Sequence, residues 1–290
     1  MGSKNKILLT GGDGQLAKTI IFNLGKNYNI KSYPKKKIDI SKLKDFKKFD
    51  KKNFKIMINT AAYNDVEGAE KNKTISNKMN YLSLINLKKF CDLNNIFLIH
   101  FSTDYVFDGK NKNPYKENSV TNPINQYGKS KAKGEKALLS SKKNNFIIIR
   151  LSWVYSKIGH NFFTKIVKLI KKNKNLKVVN DQFGVPTSTN FVVKYLNEII
   201  QIILKKQKTP KILHLVPKGS TNWYDFSIKI QKSKFLNNKK KNSCKIIPCK
   251  SNFKNKAKRP LFSVLNSEKI EKKLGKKFKH WNYYFNKDYL

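Results

Sequence analysis

Tyr127 and Lys131 bracket the run Tyr127-Gly128-Lys129-Ser130-Lys131, and a helix sets residues four apart on one face. A phenol and an ammonium so placed can manage a single proton. Free tyrosine titrates near ~10, and a neighbouring ammonium stabilises the phenolate and lowers that value. The pair is therefore expected to hand a proton to an oxygen that is gaining charge, as a ketone oxygen does when hydride reaches its carbon. Thr103, just beyond the apolar run from Phe97 to Ser102, adds a hydroxyl that can bond the same oxygen. Tyr-x-x-x-Lys alone says little in a chain with 13 Tyr and 60 Lys. Its meaning comes from what accompanies it.

A hydride needs a donor, and the N-terminal turn Gly11-Gly12-Asp13-Gly14-Gln15-Leu16-Ala17 reads as a dinucleotide cradle. Gly11 permits a tight turn after a first strand. Gly14 lets the backbone approach a pyrophosphate, and Ala17 lets the next helix pack closely on the sheet. That helix would aim its free N–H groups at the phosphates. The second strand ends in Tyr33-Pro34-Lys35-Lys36-Lys37, without the acid that would hold an unmodified ribose. The lysines suit a 2′-phosphate, which favours NADPH over NADH. Asp39 and Ile40 follow as the segment expected to meet the adenine. Asn59-Thr60-Ala61-Ala62-Tyr63-Asn64 ends a third strand in small residues that leave room for a cofactor.

These residues need a scaffold. Ile7–Thr10, Ile30–Tyr33, Ile56–Asn59, Phe97–Ser102, Phe146–Leu151 and Ile212–Val216 have strand length and apolar character. Helices are expected over Gly14–Lys26, Ser76–Asn94, Tyr127–Ser141, Asn161–Lys172, Asn190–Lys205, Trp223–Lys234 and Ser267–Leu274. The alternation predicts an α/β fold, a Rossmann-type doubly wound parallel sheet with a smaller C-terminal α/β substrate-binding domain. The dinucleotide part is placed at 1–155 and about 180–216. The interleaved smaller part takes about 156–179 and 217–290. The stretch from Asn237 to Lys245 reads as an exposed polar connector.

Composition narrows the classes. The formal net charge is +44, yet 60 of the 62 cations are Lys and only Arg150 and Arg259 are Arg. Nucleic-acid readers lean on the planar guanidinium, so a nucleic-acid partner is not expected. The lysines are spread along the chain and would draw in anionic ligands. No window has the ~18 uninterrupted apolar residues of a membrane span, and no secretion signal is evident. Three cysteines, Cys91, Cys244 and Cys249, form no disulfide framework or zinc pattern. A cytoplasmic protein with reduced thiols is expected.

The chain resembles the extended short-chain dehydrogenase/reductases, and within them the dTDP-4-dehydrorhamnose reductase family. The more discriminating runs are Ser102-Thr103-Asp104-Tyr105-Val106-Phe107-Asp108-Gly109, Ser152-Trp153-Val154-Tyr155 and Asp181-Gln182-Phe183-Gly184-Val185-Pro186-Thr187. The resemblance implies reduction of the C4 ketone of dTDP-4-dehydro-6-deoxy-L-mannose by NADPH or NADH, the last step of dTDP-L-rhamnose synthesis. It makes Tyr127 the proton donor, Lys131 its partner and Thr103 the tuner of the carbonyl hydrogen bond. It sets Gly14, Gln15, Leu16, Asp39, Ile40, Ala62, Tyr63, Asn64 and Phe101 along the cofactor. Thr103, Asp104 and Trp153 would touch the dTDP-sugar, with Trp153 either a sugar platform or a core residue. Arg259 would meet the diphosphate or cap a local turn, and Arg150 reads as structural. Glu67 and Gly68 depart from the family, which usually has Asp and then Lys or Arg there. Some members hold Mg²⁺ between subunits. No metal ligand set is placed in this chain, and a homodimer stays open. The rival readings are a 4,6-dehydratase, disfavoured because no Glu follows Thr103-Asp104, an epimerase, another 4-ketoreductase, and a non-catalytic NADP-binding regulatory subunit.

Overall fold

The computed structural model describes residues 4–49, 54–234, 236, 244–254 and 256–289. The first part of the chain runs β1 (Lys6–Thr10), α1 (Gln15–Leu24), β2 (Asn29–Tyr33), β3 (Phe54–Asn59), α2 (Val66–Lys71), α3 (Lys73–Asn77), α4 (Ser83–Leu93), β4 (Phe97–Thr103), α5 (Gln126–Leu139) and β5 (Phe146–Leu151). It continues through β6 (Val154–Tyr155), α6 (Phe162–Lys172), β7 (Asn175–Val179), β8 (Phe183–Gly184), β9 (Thr187–Ser188), α7 (Thr189–Leu204) and β10 (Ile212–His214). The last elements are β11 (Thr221–Asn222), α8 (Trp223–Gln231), β12 (Lys245–Cys249), α9 (Glu268–Leu274) and α10 (Trp281–Tyr289).

Side chains on a strand alternate between faces, and here both faces are apolar. Ile7, Leu9, Ile56, Ile58, Ile99, Ile147 and Ile149 pack with α1 and α7 on one side. Leu8, Met57, Leu98, Phe146 and Ile148 pack with Leu84, Leu87 and Leu138 on the other. Strands buried on both faces need a helix on each side, which parallel crossovers provide. The six-stranded sheet has the order β10-β5-β4-β3-β1-β2, and every pairing in it is parallel. The fold is Rossmann-type and doubly wound, as expected. The direction of winding reverses between β1 and β3, so a crevice opens at their carboxyl ends.

A second core gathers Tyr155, Phe163, Ile166, Phe226, Ile230, Trp281 and Phe285 around α6, α8 and α10. The parallel pair β7–β12 borders it. From the C-terminal stretch, Ile270, Phe278 and Tyr284 pack into the large-sheet core instead.

Two expectations need correction. The helix expected over Ser76–Asn94 is interrupted by a π-helical turn, Lys78–Leu82, between α3 and α4. Its cause is Asn80, whose Oδ1 accepts from Tyr63 N and whose Nδ2 donates to Tyr63 O and to Ser130 Oγ. The extra residue turns that amide inward, a common use of a π turn. Of the connector expected from Asn237 to Lys245, residues 237–243 lie outside the described residues. Cys244 is buried and Lys245 opens β12 against Asn175 of β7.

Candidate active site

At the carboxyl edge of the sheet lies a cavity of about 360 Å³. The start of α1 gives it Gly14, Gln15, Leu16 and Ala17, and the loop after β3 gives Thr60, Ala62 and Asn64. The end of β4 adds Phe101 to Tyr105, α5 adds Tyr127 and Lys131, and the far wall holds Trp153, His160 and Trp223. Residues remote in sequence thus converge where the topology predicts a ligand.

Helix α5, which carries Tyr127 and Lys131, is held from several directions. Asn125 caps it, its Oδ1 accepting from Gly128 N at 2.8 Å, and its Nδ2 donates to Lys258 O. Gly128 is needed because a Cβ there would run into the backbone carbonyl of Tyr105. One turn past Lys131, Glu135 is gripped by Arg150, with Nε at 3.0 Å and Nη2 at 2.6 Å from its carboxylate oxygens. Arg150 also lies over the Phe107 ring and contacts His214 Nε2, so this scarce guanidinium is a buried structural cation.

Tyr127 and Thr103 face the same cavity, and the Thr103 hydroxyl is close enough to act on the titration of the phenol. Thr103 Oγ1 donates to Asp104 Oδ1 at 3.1 Å. Asp104 Oδ2 receives Ser152 Oγ at 2.9 Å and Ser263 Oγ at 2.6 Å. Burial pushes the Asp104 carboxyl up to about 6 against these three hydroxyls, which hold it down. Burial also pushes Tyr127 up to about 12, with the Asp104 charge adding to the effect and the Thr103 hydroxyl opposing it. The expectation that Lys131 lowers the phenol is therefore corrected. Lys131 Nζ is turned to Phe101 O at 2.6 Å and His100 Nε2 at 3.2 Å. Burial takes Lys131 down to about 8, with Glu135 acting the other way.

Five expected residues do not line the cavity. Gly11, at φ +74°, makes the close crossing beneath it, since a Cβ there would lie 2.6 Å from Ala61 N. Asp39 accepts from Ser41 N, and Ile40 fills the core beside β2. Tyr63 is tied through its backbone to Asn80. Arg259 pairs with Glu67 at 2.8 Å, fastening the C-terminal stretch to α2. Trp153 does line the cavity, but its indole is stacked on Trp223, with centroids 3.3 Å apart and planes 6° from parallel. Trp153 holds a left-handed φ of +45°, a strained choice for a bulky residue.

Sequence reasoning missed His100, His160 and Trp223. His100 carried a signal, a lone imidazole in an otherwise apolar strand. Trp223 carried only the scarcity of tryptophan, three in the chain.

An elongated anion fits this cavity. Helix α1 starts at Gly14 with no side-chain cap and no acid in its first turn, leaving its N–H groups and dipole for a ligand. Ser102 Oγ is buried at the cavity wall without a partner among the described residues. Lys35, Lys36 and Lys37 are exposed just past the end of β2. Among the described residues, no group of three or more His, Cys, Asp or Glu could hold a metal ion. No helix among them is long and apolar enough to cross a membrane.

The sheet, the uncapped helix start and the Tyr–Lys–Thr group define an oxidoreductase of the extended short-chain type. The family model described as RmlD substrate binding domain matches residues 5–287, and the chain belongs to that family. It is 35% identical to a dTDP-4-dehydrorhamnose reductase of Salmonella typhimurium over 172 residues, which take in 59% of this chain and 57% of that one. It is 32% identical to the dTDP-4-dehydrorhamnose reductase of Aggregatibacter actinomycetemcomitans over 282 residues, 95% of each chain. Among solved structures it is similar to the dTDP-4-dehydrorhamnose reductase of Bacillus anthracis in complex with NADP, with a TM-score of 0.88, 29% identity and 98% of each chain covered.

Proposed function

We propose that this protein reduces the C4 ketone of dTDP-4-dehydro-6-deoxy-L-mannose to give dTDP-L-rhamnose, with NADPH as the reductant. The carrying observation is Tyr127, Lys131 and Thr103 gathered at the wall of one cavity that the α1 start and Trp153 also line. The similarity to reductases of this substrate along 95% of the chain supports the same reading.

Bound NADPH supplies the hydride. The start of α1 with Gly14, Gln15 and Leu16 would hold its pyrophosphate, Ala62, Asn64 and Phe101 would flank it, and Lys35 to Lys37 would meet a 2′-phosphate. Tyr127 is protonated at neutral pH because burial raises it to about 12, so it is in the right state to donate to an oxygen gaining charge. Thr103, whose hydroxyl rests on Asp104 in the free site, would turn its proton to that oxygen to give the second hydrogen bond. Asp104 orients Thr103, while Ser152 and Ser263 orient Asp104. His160 and Trp223 would supply the sugar side, with Trp153 stacked on Trp223.

The test is loss of reduced-nicotinamide absorbance on mixing protein, NADPH and the enzymatically made 4-keto nucleotide. Tyr127→Phe should lower turnover by roughly 10²–10⁴-fold, the usual worth of a general acid, and leave NADPH affinity within a few-fold. Unchanged turnover in Tyr127→Phe would refute the assignment. A product other than the L-rhamnose nucleotide would make the chain a ketoreductase of a different sugar nucleotide.

A further inference from the structure

His100 lies on β4 beneath the cavity, and its two ring nitrogens have different neighbours. Nδ1 is 3.0 Å from Asn59 Nδ2, and Nε2 is 3.2 Å from Lys131 Nζ. Asn59, His100 and Lys131 are each 2% exposed. Which nitrogen carries the imidazole proton follows from the amide of Asn59.

The orientation of that amide is fixed. Asn59 Oδ1 sits 3.1 Å from the backbone N–H of Ala61, a group that can only donate, and it also receives Thr10 Oγ1 at 2.6 Å. Its NH₂ therefore faces His100 and donates to Nδ1, which must be unprotonated. A neutral imidazole then bears its proton on Nε2, aimed at Lys131 Nζ. An ammonium there would set N–H against N–H in a buried site. A free amine instead offers a lone pair to the imidazole while donating its own N–H to Phe101 O, 2.6 Å away.

We propose that Asn59 locks His100 as the Nε2–H tautomer and that this proton keeps Lys131 a free amine until the dinucleotide binds. Loading the site would then take one proton from solvent onto Lys131. His100 is a positioning residue that acts on the chemistry through Lys131. This deepens the reductase reading and rests on it for its role in turnover, though not for the tautomer itself.

The surroundings agree. On its own helix Lys131 is faced by Glu135 and Tyr127. Glu135, the carboxylate that would keep an ammonium charged, is already matched by the bidentate Arg150 of β5. Asp104, at the end of β4, is committed to three hydroxyls. Burial, the larger cause, holds His100 well below its usual range and does so whether or not Lys131 is charged, so the ring is neutral. Burial brings Lys131 down to about 8 against the opposing Glu135 charge, and an imidazole N–H set 3.2 Å from Nζ disfavours the ammonium in the same sense as burial.

Two measurements test this without turnover. With ¹⁵N-histidine the chain gives four ring systems. His160, His214 and His280 are assigned from His160→Gln, His214→Gln and His280→Gln. His100 should show an unprotonated Nδ1 and a protonated Nε2 at neutral pH. A protonated Nδ1 or an imidazolium overturns the proposal. Calorimetry of NADPH binding in buffers of different ionisation heat should show proton uptake approaching one per site near pH 8 and fading toward pH 6. Heat independent of buffer at pH 8 also overturns it. In His100→Gln an amide oxygen can accept from the ammonium, so Lys131 should titrate about one pH unit higher and the uptake should shrink. If the tautomer is found but no ketone is reduced, the functional reading fails and the lock stands. If the ketone is reduced with the opposite tautomer, only the lock fails.

Discussion

Replacing Asp104 by Asn should stabilise the protein at neutral pH while impairing it as a catalyst. The carboxyl is 3% exposed, and burial outweighs three hydroxyl donors, raising it from 3.8 to about 6. A folded-state value above the unfolded one means that the native state binds this proton more tightly. The ionised form is then a burden on the fold above pH 6, and the burden vanishes as pH falls through 6 toward 3.8. Two pH units correspond to about 3 kcal/mol at pH 7.5, and about half of that remains at pH 5. Asparagine keeps the shape and carries no charge. Its oxygen can accept from Thr103, and its NH₂ can donate to Ser152 and Ser263 once those hydroxyls rotate. Urea unfolding of both proteins, followed by tryptophan fluorescence at pH 5 and 7.5, should give Asp104→Asn an advantage of up to about 3 kcal/mol that shrinks at the lower pH. Turnover should fall, because Thr103 loses its anionic anchor. A variant less stable by more than about 1 kcal/mol at pH 7.5, or an advantage that does not change with pH, would show that the hydroxyls and not burial govern this carboxyl.

Two other substitutions probe the frame around the site. Arg150→Met strands Glu135 in the core and should remove about 3–5 kcal/mol in urea unfolding, much of it recovered on adding Glu135→Leu; a loss under about 1 kcal/mol would mean that the pair is not buried as described. Gly128→Ala sets a methyl against the Tyr105 carbonyl and should reduce stability by about 1–3 kcal/mol, with kcat falling more than NADPH affinity. Unaltered unfolding and kinetics in that variant would contradict the close approach of α5 to the segment after β4.

Much of this was legible in the chain. Strands with both faces apolar announce a parallel sheet, and the glycine turn, Thr103 and Tyr127 with Lys131 fall on its carboxyl edge because each follows a strand or opens a helix. What escaped reading depended on partners far along the chain. The π turn at Lys78–Leu82 exists because Asn80 reaches Tyr63 and Ser130, neither of which is its sequence neighbour. Arg259, expected at the diphosphate or at a local turn, pairs with Glu67, nearly two hundred positions upstream. The state of Tyr127 was misjudged because four-residue spacing gives a shared helix face but not the direction of a lysine stem, and the Phe101 carbonyl sets that direction. Asp39 and Ile40 sit by the second strand as expected, but their side chains serve a turn and the core.

The stacked indoles give the sugar end of the cavity the character of a clasp. Trp153 is rooted at the end of β5 and Trp223 at the head of α8, so its two jaws belong to different parts of the molecule. On the proposed reading, a hexose would reach the covered face of Trp153 only with the two rings apart. Sugar affinity and the placement of α8 against the large sheet would then be one variable.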